Sequence, residues 1–324
     1  VKPAGDDEGS VRAGPDAAGP GECEALVLAS HGASASLRLP DGSLVQARAS
    51  GRKLQFVCGD RVLALDDARN GQWLVQRVLP RASQLRRTNM RGQPETVAAN
   101  LGRLLVVVAP RPEPDLFLVD RYLAAAASAG LRATVIAGKS DLGYGPEQLA
   151  ALAPFGEASA TGTPLLFCSA RSGDGLDGLR AAIAGQRVML VGQSGVGKSS
   201  LLRVLVPGVQ ADVGELMRDD QGRHTTSVSR LYDLPGGGSL VDSPGVRDFA
   251  PAPEDLDART LGFAEVEQLA PGCRFADCRH FAEPGCAVRA AVADGSMSAR
   301  RYESYRRLRR LRDDLVARAG PRRH

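Results

Sequence analysis

Gly192-Gln193-Ser194-Gly195-Val196-Gly197-Lys198-Ser199 is the stretch on which the reading of this chain turns. It fits the phosphate-loop pattern GxxxxGK[ST]. Residues 187–191 (RVMLV) form a short apolar strand before it, and residues 200–205 (SLLRVL) read as a helix after it. Glycines let the backbone turn its N–H groups inward, so the loop and the following helix N-terminus make an anion site. The main chain of Gln193, Ser194, Val196 and Ser200 belongs to that cradle. Lys198 reaches the terminal phosphates of a nucleotide, and the Ser199 hydroxyl holds Mg²⁺. A glycine-rich turn without a ligand is the alternative; the Lys-Ser pair in a strand–loop–helix setting weighs against it.

Upstream of this loop, residues 103–109 (RLLVVVA) are a continuous apolar run, as in a strand buried on both faces. A helix is expected over 116–129 and a strand over 132–137, and strand–helix alternation continues to about Asp248. That alternation indicates a doubly wound α/β domain over 103–250. After the second strand comes Gly138-Lys139-Ser140-Asp141, which resembles the guanine-reading motif NKxD. The Asp141 carboxylate can accept from N1–H and N2–H₂ of guanine, a donor pair adenine lacks. The Lys139 stem lies along the base. Gly138 stands where the motif has Asn and supplies no carboxamide to brace the loop. Ser169-Ala170-Arg171, after the strand at 165–168, resembles the SAK motif whose backbone supports the base.

Downstream, Asp242-Ser243-Pro244-Gly245 matches DxxG: Asp242 holds Mg²⁺ through water and the Gly245 N–H senses the γ-phosphate. The polar stretch 208–231 contains Gly222-Arg223-His224-Thr225-Thr226, where a switch loop falls, with Thr225 or Thr226 completing the Mg²⁺ shell. Val246, an aliphatic residue, occupies the place after DxxG where many GTPases put a water-orienting Gln, so His224 becomes the candidate for that task. The base-reading pair precedes the phosphate loop, whereas in an ordinary GTPase it follows. The domain is therefore expected to be circularly permuted, with its switch segments leading directly into whatever follows Gly245.

Residues 1–21 are rich in Gly, Pro, Ala and Asp and read as a disordered tail. Between 22 and 80, five short alternating segments (25–28, 35–39, 44–48, 62–65 and 73–79) with an Asp41-Gly42 hairpin signal suit a small OB-type β-barrel. Arg48, Arg52, Lys53 and Arg61 face either RNA or plain solvent, and Trp73 is expected in the core. Residues 81–102, with Arg81, Arg86, Arg87 and Arg91, read as a basic linker.

The 324 residues carry a net charge of +4, and lysine is scarce: Lys2, Lys53, Lys139 and Lys198 against 37 Arg. Two of these four lie in nucleotide motifs, where a compact ammonium differs from a guanidinium. Ten Arg against three acids from Arg300 to His324 leave the rest of the chain slightly acidic and suggest a polyanionic partner. No apolar run approaches the ~20 residues of a membrane span, and the N-terminus lacks a signal pattern, so a cytoplasmic protein is expected.

Cys273, Cys278, His280 and Cys286 fall within fourteen residues. Three thiolates and an imidazole make a closed tetrahedral site suited to structural Zn²⁺. They place a zinc-binding domain at 251–324. Its final helix, from about residue 298 to 319, presents Tyr305, Leu308, Leu311 and Leu315 on one face with arginines around them, suiting RNA phosphates.

Together the permuted order, GQSGVGKSSL, GRHTT, DSPG, CRFADCRHFAEPGC and RRYESY closely resemble the ribosome small-subunit-dependent GTPase A family of bacteria over residues 22–315. The resemblance implies an OB domain, a permuted GTPase domain and a C-terminal zinc domain. It implies GTP hydrolysis stimulated by the small (30S) ribosomal subunit during late maturation, with 16S rRNA as partner, His224 as catalytic histidine beside Lys198, and a monomer. Where Gly138 departs from the family's Asn, weaker nucleotide affinity is expected. The competing readings are an RNA-binding module that uses guanine nucleotide as a switch with little hydrolysis, and an ATPase, which Asp141 opposes.

Overall fold

The computed structural model describes residues 21–89, 92–156, 159, 161–209, 229–242, 249, 251–252 and 255–319. His224, Thr225, Thr226, Gly245 and Val246 lie outside the described residues, as does nearly all of the 1–21 tail.

The first five strands are β1 (Glu22–His31), β2 (Ser34–Arg38), β3 (Leu44–Ala49), β4 (Arg61–Asp67) and β5 (Gln72–Val78). They pair in the order β1-β2-β3-β5-β4, and β4 returns to β1, so the barrel closes on itself. Only β3 and β5 run parallel. Alternate residues point inward: Val27, Ala35, Leu37, Val62 and Val75 are the barrel's core, with Trp73 half-buried against it. Asp41-Gly42 makes the expected β2–β3 turn, with Gly42 at φ +85° and the Asp41 carboxylate accepting from Ser43 N at 2.9 Å. Arg48, Arg52 and Lys53 are exposed, while Arg61 is tied to Glu24.

Residues 81–102, read from sequence as a basic linker, carry an antiparallel hairpin, β6 (Gln84–Thr88) with β7 (Pro94–Ala99). Leu85 and Ala98 are fully buried in the core shared with the α/β domain, which anchors the hairpin. Arg81, Arg86 and Arg87 are engaged in ion pairs, and Arg91 lies outside the described residues. Arg81 makes a bidentate contact with the fully buried Asp60, Arg86 pairs with Asp255, and Arg87 with Glu95.

The α/β domain follows: β8 (Arg103–Val108), α1 (Leu116–Ser128), β9 (Arg132–Ala137), α2 (Pro146–Leu152), β10 (Leu165–Phe167), α3 (Leu176–Ile183), β11 (Gln186–Val191), α4 (Lys198–Leu205), β12 (Arg230–Asp233) and β13 (Gly238–Asp242). Strand order is β10-β9-β8-β11-β13-β12, parallel except for the edge strand β12. Along β8, Val106 and Val108 enter the core under α1, and Leu105 and Val107 enter the core under α3 and α4. Both faces are covered, which is why this strand is apolar without alternation. The barrel joins the sheet where Ala29 of β1 pairs with Arg230 of β12, and Arg38 pairs with Asp233 beside it at 2.7 Å.

Three helices end the described chain: α5 (Ala264–Leu269), α6 (Ala287–Ala293) and α7 (Ala299–Ala319). Phe263, Val266, Val288, Met297, Tyr305 and Leu308 form their core. Here the sequence reading of the arginine-rich helix is corrected in part. Arg301 and Arg309 are buried, not presented to solvent. Arg301 lies between Asp120 of α1 and Glu265 of α5, and Arg309 donates to the carbonyls of Ala258 and Arg259 and to the Tyr305 hydroxyl. Arg307, Arg310 and Arg318 remain exposed. Periodicity places residues on a face; it does not show which faces another element covers. Among the described residues no helix is long and apolar enough to cross a membrane.

Candidate nucleotide site and metal centre

The phosphate loop, residues 138–141 and residues 169–171 come together at the C-terminal ends of the parallel strands, where open α/β sheets bind ligands. The phosphate loop leaves β11 at the centre of the sheet. Gly192 has φ +135°, and a Cβ there would sit 2.3 Å from the Val107 carbonyl oxygen. Gly195 at φ +80° and Gly197 at φ +103° complete the left-handed turns. Only glycine suits such positions without strain. Lys198 opens α4, and its Nζ donates to the carbonyls of Gly192 and Gln193, each at 2.7 Å, which holds the ammonium over the loop's mouth. Gln193 Oε1 accepts from Asp115 N at 3.3 Å, tying the loop to the start of α1.

A cleft of about 320 Å³ opens beside the loop. Gly138, Lys139, Asp141, Ser169, Ala170, Val196, Gly197 and Ser200 line it, together with Leu142, Arg171 and Leu201. Lys139, at φ +52°, stretches across the phosphate loop, with Nζ donating to Gly195 O at 2.6 Å and Arg111 O at 3.0 Å. Its stem passes 3.5 Å from the place a Gly197 Cβ would take. Ser140 N donates to Cys168 O at 3.1 Å, which seats a 3₁₀ turn, Ser140–Leu142, on the end of β10.

The buried Ser169 hydroxyl donates to Asp141 Oδ1 at 2.6 Å and accepts from the N–H groups of Arg171 and Ser172 at 3.1 Å. The serine thus orients the carboxylate and leaves its remaining lone pairs for two in-plane donors, the arrangement of the guanine N1–N2 edge. Cys168 beneath it is fully buried, and burial pushes its thiol up to about 11, so it is neutral packing. Ser199 is exposed at the first turn of α4. Asp242 ends β13 in register with Leu190 of β11, two residues before the phosphate loop begins.

The second site lies in the C-terminal helices. The ligating atoms of Cys273, Cys278, His280 and Cys286 are all within 4.8 Å of one another. His280 Nδ1 is 3.5 Å from Cys273 Sγ and 3.4 Å from Cys286 Sγ. A tetrahedral zinc with ordinary Zn–S and Zn–N bonds sets sulfur and nitrogen about 3.5 Å apart, so the cluster has the dimensions of a metal centre. Burial, then the charges of Arg259 and Arg309, push the imidazole down to about 4, which keeps a nitrogen lone pair for a metal at neutral pH. The loop is clamped by α7. Tyr302 donates to His280 O at 2.5 Å, and Tyr305 donates to Arg279 O at 3.2 Å and Arg259 O at 2.9 Å.

The profile of the RsgA GTPase family matches residues 78–251. A small ribosomal subunit biogenesis GTPase RsgA from Azotobacter vinelandii is 42% identical over 293 residues, covering 89% of this chain and 85% of the relative. The chain belongs to the RsgA GTPase family. A second RsgA, from Ectopseudomonas mendocina, is 44% identical over 254 residues, 78% of this chain and 74% of that one. Among solved structures, YjeQ from Thermotoga maritima superposes with a TM-score of 0.69 at 27% identity, over 93% of this chain and all of the other. YloQ, described as a circularly permuted GTPase, superposes with a TM-score of 0.66 at 21% identity over 93% of this chain and 97% of its own.

As an RsgA GTPase the chain has the closed barrel, the permuted nucleotide domain and the Cys/His cluster expected from its sequence. Leu142 and Leu201 also wall the cleft, and each directly follows a residue of the sequence motifs. The two tyrosines of RRYESY, Tyr302 and Tyr305, hold carbonyls of the metal loop and its flank, a role outside the sequence motifs. Their i,i+3 spacing on one helix face was the available signal.

Proposed function

We propose that this RsgA GTPase binds GTP with Mg²⁺ and hydrolyses it in association with the small (30S) ribosomal subunit, during the biogenesis step for which its relatives are named. The observation that carries the reading is the convergence of Lys139, Asp141 and Ser169 with the phosphate loop on one cleft. Guanine is read by Asp141, with Gly138, Lys139, Ser140 and Ala170 shaping the base site. Residues 192–200 hold the phosphates, and the Lys198 ammonium offsets charge that develops as the γ-phosphoryl departs. Ser199, on the helix that follows β11, and Asp242, at the end of its paired strand β13, carry oxygen ligands that suit a hard divalent cation, and Thr225 or Thr226 would complete its shell. When bound, that ion neutralises charge on the phosphate oxygens. Gly245 N–H senses the γ-phosphate, and His224 orients the attacking water because the Val246 side chain has no polar atom to do so.

Cys273, Cys278, His280 and Cys286 hold one structural Zn²⁺; four protein donors leave no open coordination position for chemistry. The exposed arginines of α7 and of the barrel are the surfaces for 16S rRNA, the protein acts as a monomer, and it works in the cytoplasm.

The test is GTP turnover by the full chain, titrated with purified small subunits. Stimulation by the subunit, lost in His224→Ala while GDP binding persists, is the expected result. Unstimulated turnover with binding to the subunit intact would favour the alternative, a nucleotide-switched RNA-binding module.

A further inference from the structure

The base-reading loop lacks the carboxamide its motif would supply at Gly138. A Cβ at this position would stand 3.3 Å from Val108 O, 3.5 Å from Val107 Cγ1 and 3.6 Å from Val196 O. That direction runs between the end of β8 and the phosphate loop, where a carboxamide could bind both main chains. Glycine leaves this cross-link unmade.

Six residues later a different group reaches the same backbone. The Tyr144 hydroxyl lies 2.9 Å from Gly138 O and 3.3 Å from Val108 O, and it donates to this pair of carbonyls. Its ring is half-buried and meets Phe167 of β10 edge-on, with centroids 5.6 Å apart and planes at 89°. The hydroxyl is thus fixed by β10 while it holds the ends of β8 and β9. Burial pushes the phenol well above its ordinary value, so it keeps the proton it donates. Between Gly138 and Tyr144 the chain turns tightly: Leu142 N donates to Lys139 O and Gly143 N to Ser140 O, each at 3.0 Å. The last side chain of the loop closes on its first carbonyl, and Asp141 lies inside the closed segment.

We propose that Tyr144 is a positioning residue for purine recognition, which takes the place of the missing Asn carboxamide by closing the loop 138–144 and so fixes Asp141 against the guanine edge. This rests on the guanine reading of Asp141 given above. Tyr144 is not among the residues that line the cleft; it acts through the backbone that carries Asp141.

The test is calorimetry of GDP and IDP binding to the full chain and to Tyr144→Phe, Gly138→Asn and the double variant. Phenylalanine keeps the ring and its contact with Phe167 and removes only the hydroxyl. GDP affinity is expected to fall about three- to tenfold, the range of one hydrogen bond. Hypoxanthine lacks the 2-amino group, so IDP loses less and the GDP/IDP ratio narrows. A merely structural role would weaken both ligands alike and leave the ratio unchanged, which overturns the proposal. Gly138→Asn should restore GDP affinity more in the Tyr144→Phe background than in the wild type, because the two devices brace one loop. Additive effects of the two substitutions overturn the substitution argument. A wild-type protein that binds nucleotide without preferring GDP to IDP overturns the guanine reading itself; a wild-type preference that Tyr144→Phe leaves intact overturns only the role of Tyr144.

Discussion

Arg301→Met should release the C-terminal helices from the nucleotide domain. The Arg301 side chain is 3% exposed and lies between Asp120 at 1% and Glu265 at 6%. It makes two hydrogen bonds of 2.7 Å to Glu265 and one of 2.5 Å to Asp120, and its guanidinium stands 4.5 Å from the Phe263 ring centre. Methionine retains much of the apolar packing and removes the charge, leaving two buried carboxylates. Breaking a buried pair by removing one partner costs about 3–5 kcal/mol. Arg300, 27% exposed, still pairs with Asp120, so the lower end, about 3 kcal/mol, is expected. The chain has several domains and does not unfold as one unit, so a global melt is the wrong readout. Amide hydrogen exchange reports local opening, and about 3 kcal/mol corresponds to roughly a hundredfold faster exchange in α5 and the first turns of α7.

The acid dependence carries a sign. Burial alone pushes Glu265 up, but the hydrogen bonds and charge of Arg301 outweigh it and hold the carboxyl below its ordinary value. In the wild type its stabilisation is therefore present above the unfolded carboxylate range, ~4.3, and is lost as pH falls through the lower folded value. In the variant only a main-chain hydrogen bond and the charge of Arg300 still oppose burial, so the folded value is expected to rise above the unfolded one and the penalty to be relieved as pH falls. The gap between the two proteins should narrow from pH 7 toward about pH 4. Exchange in α5 within threefold of wild type at pH 7, or a gap that does not change with pH, would refute the reasoning.

Other expected outcomes follow from the two sites. Gly192→Ala should abolish detectable GDP binding by calorimetry, because its Cβ meets Val107 O at 2.3 Å and its φ of +135° is strained for any side chain. Asp141→Asn should weaken GDP by at least tenfold and improve XDP binding in competition assays, since a carboxamide accepts from N1–H and donates to the 2-oxo group of xanthine. Cys278→Ser should lower metal content, measured by elemental analysis, from one zinc per chain to well below one. It should also raise protease sensitivity in residues 273–286, because the metal's binding energy is folding energy there.

The sequence by itself determined the chemistry and its order. The phosphate loop, the base-reading pair, DxxG and the three-cysteine, one-histidine cluster are local patterns, and each needs only a few neighbouring residues to take effect. Their order exposed the permutation, and the period-2 segments of 22–80 exposed the barrel strands. Tertiary structure decided what depends on residues far apart in the chain. Arg301 reads as one more cation in an arginine run; burial 181 residues away against Asp120 makes it a docking element. Arg81 and Arg86 read as a basic linker, yet Asp60 and Asp255 neutralise them and Leu85 anchors their hairpin. Tyr144 carried no motif at all. Its importance arises because the sheet brings the ends of β8, β9 and β10 side by side, so one hydroxyl reaches two carbonyls and its ring reaches Phe167. A motif is visible in sequence because its residues serve one ligand through local backbone geometry, whereas a partner across the fold becomes visible only when packing brings it into contact.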